Sequence, residues 1–201
     1  STLIENVDII DKKIVTASKK YIKEYDLVET EDEKGHVKKT AVYRGDFFHL
    51  SLEESQIKQF KWQFVLLFVA ALGLHVCAGF VNNPGLSQMY TAVPYTGAFF
   101  PLLFLGAGIL RIPNQKRPYR TEEIGLSYRR VVNMSRLYLI IIAIGIAGAL
   151  IYLIFASNGQ ALEREAIYFG LVLCTALLIW NIYSKATKIV IEKEETPLDS
   201  E

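Results

Sequence analysis

The chain has 201 residues, of which 51% are hydrophobic, and its formal net charge is +1. Soluble domains average about 45–50% apolar residues, so the clustering of these residues is more informative than their number. The two cysteines, Cys77 and Cys174, both lie inside apolar runs, which excludes a disulfide framework and a metal-ligand spacing.

Residues 1–58 form a polar region with ten basic and twelve acidic residues. Apolar residues recur at helical spacing over positions 3–21, which predicts an amphipathic first helix. Alternating residues on both sides of a charged turn that ends in Gly35 predict a β-hairpin over 25–44. Because a two-stranded hairpin is only marginally stable alone, we expect this region to pack against a partner or another part of the chain.

Four apolar runs follow, and each reaches or approaches the roughly 20 residues needed to cross a bilayer. None contains Asp, Glu, Lys or Arg, and they occupy positions 62–81, 89–110, 137–156 and 166–182. A pre-membrane helix with Ser51 as its N-cap is predicted to continue into the first run. The second run carries Pro94 and Pro101 together with three glycines, which predicts a kinked or irregular helix.

The stretch 111–136, between the second and third runs, holds seven basic and only two acidic residues. The two other connections are short and carry a single arginine between them. Because Lys and Arg collect on the cytoplasmic side of a membrane, we expect this basic loop and both termini to be cytoplasmic. The tail, 185–201, turns acidic and is predicted to be disordered at its end.

The predicted fold is therefore an all-α integral membrane protein with a small cytoplasmic N-terminal α+β region. Its membrane domain, over 59–184, consists of four transmembrane helices arranged as two hairpins, and the plasma membrane is the expected location. The alternative, a soluble all-helical protein, would have to bury four uncharged runs in one small domain.

His75 is the candidate polar site within the first run, because an ionisable residue inside a membrane span is often functional. Ala71 and Gly79 lie four positions to either side, so His75 is predicted to point towards small residues. The alternative is a neutral histidine bonded to a backbone carbonyl inside a helix interface. Small residues four apart in the third run also predict close helix packing; they are Ala143, Gly145, Ala147 and Ala149.

Three interpretations of the basic loop remain open: a topology signal alone, binding of anionic lipid head groups, and docking of a partner protein. The residues expected to make such contacts are Arg117, Arg120, Arg129, Arg130 and Arg136. Nucleic-acid binding is not expected, because few aromatic residues interleave these charges and the loop is held at the bilayer. Between the third and fourth runs, Glu163 and Glu165 are expected to lie in a solvated turn.

The sequence shows no catalytic, metal-binding or cofactor-binding motif. It favours a non-catalytic membrane subunit or scaffold that binds a protein, another copy of itself or anionic lipid through residues 1–58 and the basic loop. The alternative is a small oligomeric transporter or channel with His75 facing the interior, although the runs lack the carboxylate that proton coupling would require. An enzyme acting on phosphorylated substrates through the loop arginines is the weakest interpretation, because no general base accompanies them.

Overall fold

The computed structural model describes residues 24–31, 37–155, 159 and 161–193. The amphipathic helix predicted over 3–21 and the end of the tail lie outside these residues. The described chain forms two compact units. One contains the described residues up to His49, Arg117–Gly125 and 191–193, and the other contains Leu50–Lys116 with the described part of Leu126–Val190.

The described part of the chain is mostly helical, and four of its helical segments are long and apolar enough to cross a membrane. They suggest a multi-pass membrane protein. The helices are α1 (Glu54–Phe80), α2 (Met89–Gly97), α3 (Phe99–Leu110), α4 (Thr121–Leu126), α5 (Tyr128–Phe155) and α6 (Leu162–Ala186). The first candidate span is α1, the second is α2 with α3, the third is α4 with α5, and the fourth is α6.

The pre-membrane helix predicted with Ser51 as its N-cap is continuous with the first span, but it begins two residues later than expected. Its N-cap is Glu53, whose backbone N–H donates to the Gln56 side chain at 3.0 Å. Ser51 instead donates a hydrogen bond from Oγ to the carbonyl of Val190 at 3.2 Å. The interruption predicted in the second span is confirmed, since α2 ends at Gly97 and α3 begins at Phe99.

On the buried faces of α5 and α6, the buried residues recur at alternating spacings of three and four. This spacing is typical of helices that pack knobs-into-holes in a left-handed bundle. In the bundle, α5 contacts α2, α3 and α6, and α6 also contacts α1. The buried face of α5 consists of Tyr128, Val131, Ser135, Tyr138, Ile142, Gly145, Ala149 and Tyr152, and Gly148 is buried beside it.

Two glycines on α5, Gly145 and Gly148, allow the proline-containing helix α2 to pack closely against it. A Cβ atom added at Gly145 would lie 3.3 Å from Cβ of Pro94. One added at Gly148 would lie 2.7 Å from the carbonyl oxygen of Tyr90. That carbonyl stands four residues before Pro94, which has no N–H to donate to it, so one backbone hydrogen bond of α2 is missing where Gly148 meets it.

The described residues also form five short strands in two sheets: β1 (Tyr25–Glu31), β2 (Val37–Tyr43), β3 (Phe47–Leu50), β4 (Tyr119–Arg120) and β5 (Ile191–Lys193). The first sheet is the antiparallel hairpin β1–β2, in which Tyr25 is opposite Tyr43. The second is a small three-stranded antiparallel sheet with the order β4-β3-β5. The prediction placed β-structure in residues 1–58 alone, whereas this sheet also uses the basic loop and the tail.

We call the end of the bundle formed by residues 81–88 and 161–165 the turn end. The opposite end, where α1 begins and α6 ends, is the loop end. A 3₁₀ turn, Pro84–Ser87, connects α1 to α2 at the turn end.

Candidate functional site

His75 lies in the centre of the bundle and is 0% exposed. Its Nε2 is 3.3 Å from the backbone carbonyl oxygen of Tyr95, and its Nδ1 is 3.0 Å from the Tyr138 hydroxyl. Since a carbonyl oxygen can only accept, Nε2 carries the proton and Nδ1 accepts the bond that Tyr138 donates. A neutral imidazole therefore satisfies both ring nitrogens inside the bundle.

Aromatic rings enclose the imidazole. The Tyr95 ring stacks on it with centroids 4.5 Å apart, and the Phe99 and Tyr138 rings meet it edge-on at 4.6 and 5.6 Å. Tyr95 also donates from its hydroxyl to the His75 backbone carbonyl at 2.6 Å. The two residues thus each bond the backbone of the other, which ties α1 to α2 next to the helix interruption.

The small residues predicted beside His75 lie in different surroundings. Ala71 is completely buried. Gly79 lies against the Tyr95 hydroxyl, where an added Cβ atom would be only 2.5 Å from the oxygen. Of the small pairs on α5, Gly145 and Ala149 are buried, whereas Ala143 and Ala147 are exposed on the surface of the chain.

The expectation that Glu165 lies in a solvated turn is wrong, because its side chain is 1% exposed. At the turn end, Glu165 accepts a hydrogen bond from the Asn83 amide nitrogen at 2.9 Å and another from the backbone N–H of Gly85 at 2.6 Å. Glu163, two residues earlier, is exposed as expected. The α-helix turns successive residues by about 100°, so two acids that are two apart face nearly opposite directions.

Buried tyrosines lie between Glu165 and His75. Tyr168 is on the same face of α6 as Glu165, one helical turn further along. Its ring lies 5.9 Å from that of Tyr95, which in turn stacks on His75. The bundle interior therefore holds a line of polar side chains that runs from the turn end to its centre, and only His75 in this line was predicted.

Six of the seven basic side chains of the loop are exposed, and Arg130 is half-buried. Arg117 forms an ion pair with Glu123, and the Arg120 guanidinium lies 5.2 Å from the centre of the Tyr43 ring. In the bundle, Arg130 lies 5.8 Å from the centre of the Phe104 ring. Arg129 and Arg136 are seven residues apart on α5 and are both exposed, so they share one outward face.

A second polar cluster surrounds Tyr43 in the unit outside the bundle. The Tyr43 hydroxyl donates to Glu24 at 3.0 Å and lies 2.9 Å from the Asp46 carbonyl oxygen. The backbone N–H of Thr121 donates to the same hydroxyl at 3.1 Å. Burial raises the pKa of this phenol above its ordinary value of 10.0. The alternation of residues around Tyr43 predicts only that it lies in a strand.

The described residues contain no group of three or more His, Cys, Asp or Glu side chains that could hold a metal ion. Cys77 and Cys174 are both free. Comparison with models of protein families, with curated proteins and with solved structures finds no match to this chain.

Proposed function

We propose that the chain is a non-catalytic membrane subunit or scaffold that binds anionic lipid and a partner protein at its cytoplasmic side. The observation that carries this proposal is the exposure of the basic side chains of the loop. Charge concentrated at one end of a set of apolar helices attracts acidic surfaces, at about 1 kcal/mol per Lys or Arg beside a membrane. The positive-inside rule gives this end the cytoplasmic side, with both termini there as well.

The arrangement of His75 supports a structural role for the bundle core. Both ring nitrogens are bonded, and the imidazole is enclosed by three aromatic rings. A substrate would have to displace the Tyr95 carbonyl or the Tyr138 hydroxyl to reach either nitrogen. Such closed polar pairs fix the relative positions of helices, as expected of a scaffold.

The position of two tryptophans agrees with a membrane interface at the loop end. Trp62, near the start of α1, is 68% exposed, and Trp180, near the end of α6, is 57% exposed. Tryptophan collects at the level of the lipid head groups. Arg129 and Arg136 stand at the same end of the bundle, so their guanidinium groups are placed to bind lipid phosphates there.

The hairpin β1–β2 supports the docking of a protein. Among the described residues, no third strand pairs with it, and both of its edges are open. Three strands or a packed helix are usually needed for independent stability, so we propose that a partner completes this element. Extended segments commonly add to an open sheet edge in this way.

Purification from the native membrane in a mild detergent tests the proposal, with the mass of the intact complex and its protein and lipid content as readouts. We expect a stoichiometric second protein and co-purifying anionic lipid. Replacing Arg129 and Arg136 by alanine should reduce the bound anionic lipid. The control variant, Lys58→Ala with Lys188→Ala, removes two exposed charges outside the loop. A homo-oligomer without a companion protein or anionic lipid would contradict the proposal.

The alternative function, a small oligomeric transporter or channel, is favoured by one observation. The carboxylate that the apolar runs lack is provided by Glu165, which is buried at the turn end, in line with Tyr168, Tyr95 and His75. Under this alternative, His75→Leu should abolish ion or substrate flux in proteoliposomes. Under the scaffold proposal, His75→Leu should lower stability, and the wild type should show no flux above that of empty vesicles.

A further inference from the structure

Glu165 is a buried carboxylate that has no cationic partner among the described residues. No lysine or arginine of the described residues bonds to it, and the neighbouring Arg164 instead donates to the Asn82 backbone carbonyl at 3.0 Å. An isolated buried charge is costly, and such groups commonly become neutral by taking up a proton. To bind and release a proton, Glu165 needs neighbours that can form hydrogen bonds to both its charged and its neutral form.

Asn83 can bond both forms of the Glu165 carboxyl group, because its side chain is buried beside it, with 3% exposure, and only the nitrogen of its amide is bonded. Nδ2 donates to Glu165 Oε2 at 2.9 Å, whereas Oδ1 is buried and has no hydrogen-bond partner in the part of the chain that the structure describes. A primary amide carries donors on nitrogen and an acceptor on oxygen, and a half-turn of the side chain exchanges their positions. Asn83 can therefore present either a donor or an acceptor to the same carboxyl oxygen.

We propose that Glu165 and Asn83 form a proton-binding site at the turn end of the bundle. In the ionised state, the Asn83 N–H donates to Oε2. On protonation, a proton from the adjoining water adds to Oε2, the Asn83 amide turns by half a rotation, and the new O–H donates to Oδ1. The Gly85 N–H donates to Oε1 in both states, so neither form leaves the carboxyl group without partners.

The backbone at this site is shaped around the carboxyl group. A Cβ atom at Gly85 would lie 2.6 Å from Oε2 and 2.9 Å from Oε1 of Glu165, so only glycine allows this approach. The same position lies 3.0 Å from the Tyr152 ring of α5. The titratable or charged groups beside Glu165 among the described residues include Arg164 and Tyr168 on α6 and Tyr152 on α5, and the 3₁₀ turn contributes none.

The site does not depend on the scaffold role. Under the proposed orientation, the turn end faces the outside of the membrane, so the site would respond to the external pH. Protonation would neutralise the buried charge of Glu165 and keep its hydrogen bonds to Asn83 and Gly85, so the contact between residues 81–88 and the start of α6 would persist.

Infrared difference spectroscopy of the purified protein tests the inference, because a protonated carboxyl group has a C=O stretch that the carboxylate lacks. We expect a reversible carboxyl band on acidification that is present in the wild type and in Glu163→Gln and missing in Glu165→Gln. Asn83→Leu should shift the frequency of this band, because the O–H of the protonated carboxyl group loses its acceptor, Oδ1 of Asn83. Asn82→Leu, at an exposed neighbouring position, is the matched control and should not move it.

Two results would overturn the inference. One is a wild-type protein that unfolds in acid before any band assignable to Glu165 appears. The other is a Glu165 band whose frequency is the same in Asn83→Leu and Asn82→Leu. If Glu165→Gln does not fold, the comparison of these two asparagine variants still decides the question, since both retain the carboxyl group.

Discussion

Tyr138→Phe measures directly how much the buried His75 cluster stabilises the bundle. The substitution removes one hydroxyl and keeps the ring, so the edge-on packing against His75 is preserved. It takes away the donor 3.0 Å from His75 Nδ1 in a site that is 0% exposed, where no water is at hand to replace it. The affected quantity is the free energy of unfolding.

The expected loss is about 1 kcal/mol. Side-chain hydrogen bonds between membrane helices contribute about 0.6 kcal/mol on average and about 1.7 at most. Leaving a buried polar atom without a partner costs about 1–3 kcal/mol, so the orphaned Nδ1 moves the expectation towards the upper part of the membrane range. Reversible unfolding in mixed micelles with increasing sodium dodecyl sulfate measures this difference.

Tyr90→Phe is the matched control, because Tyr90 also lies in a span but is 43% exposed, and its hydroxyl makes no hydrogen bond to the described residues. Its unfolding free energy should stay within a few tenths of a kcal/mol of the wild type. In a His75→Leu background, Tyr138→Phe should cost nothing or even stabilise, since it then removes an orphaned hydroxyl. Equal losses for Tyr138→Phe in both backgrounds would refute the assigned hydrogen bond.

Three further predictions concern other parts of the chain. Gly148→Ala should destabilise the bundle by about 1–3 kcal/mol in the same unfolding assay, because the new methyl group meets the Tyr90 backbone, whereas Gly170→Ala meets nothing within 4 Å and should not. The protonated Tyr43 phenol should stabilise the folded protein fully below about pH 10, and this contribution to the free energy of unfolding should be lost as the pH rises through its raised folded-state pKa. The free energy of unfolding of Tyr43→Phe should therefore fall less at alkaline pH than that of the wild type. A reporter domain that is active only in the cytoplasm should be active when fused to either terminus, and a reporter that is active only outside the cytoplasm should be inactive there. Activity of the second kind of reporter at either terminus would contradict the topology.

The apolar spans and the interruption of the second one could be read from the sequence because both are local properties. A run without charged residues has one stable arrangement in a bilayer, a helix that satisfies its own backbone. Pro94 and Pro101 each remove a backbone donor, so a break between Met89 and Leu110 follows from composition. The hairpin β1–β2 is local as well, since a short connection joins its two strands.

The sheet β4-β3-β5 could not be predicted in this way. Its strands have two to four residues each and come from three distant parts of the chain. Phe47 pairs with Arg120, which is more than 70 positions away in the sequence. Around neither residue do apolar and polar residues alternate over a stretch long enough to indicate a strand. The three residues of β5, Ile191–Lys193, are too few to indicate a strand by alternation, and they form one by pairing with β3.

The sequence by itself determined that the chain has four apolar helices long enough to cross a membrane and made His75 a candidate, because length and apolar composition are local properties of a run. Only the tertiary structure decided what the polar side chains do. His75 is bonded to residues 20 and 63 positions away, and Glu165 to residues 82 and 80 positions away. A glutamate in a charged turn is usually solvated. Glu165 is buried because Asn83 and Gly85 donate two hydrogen bonds to it at the start of α6. Those donors are 82 and 80 positions away in the sequence, so no local pattern could indicate them.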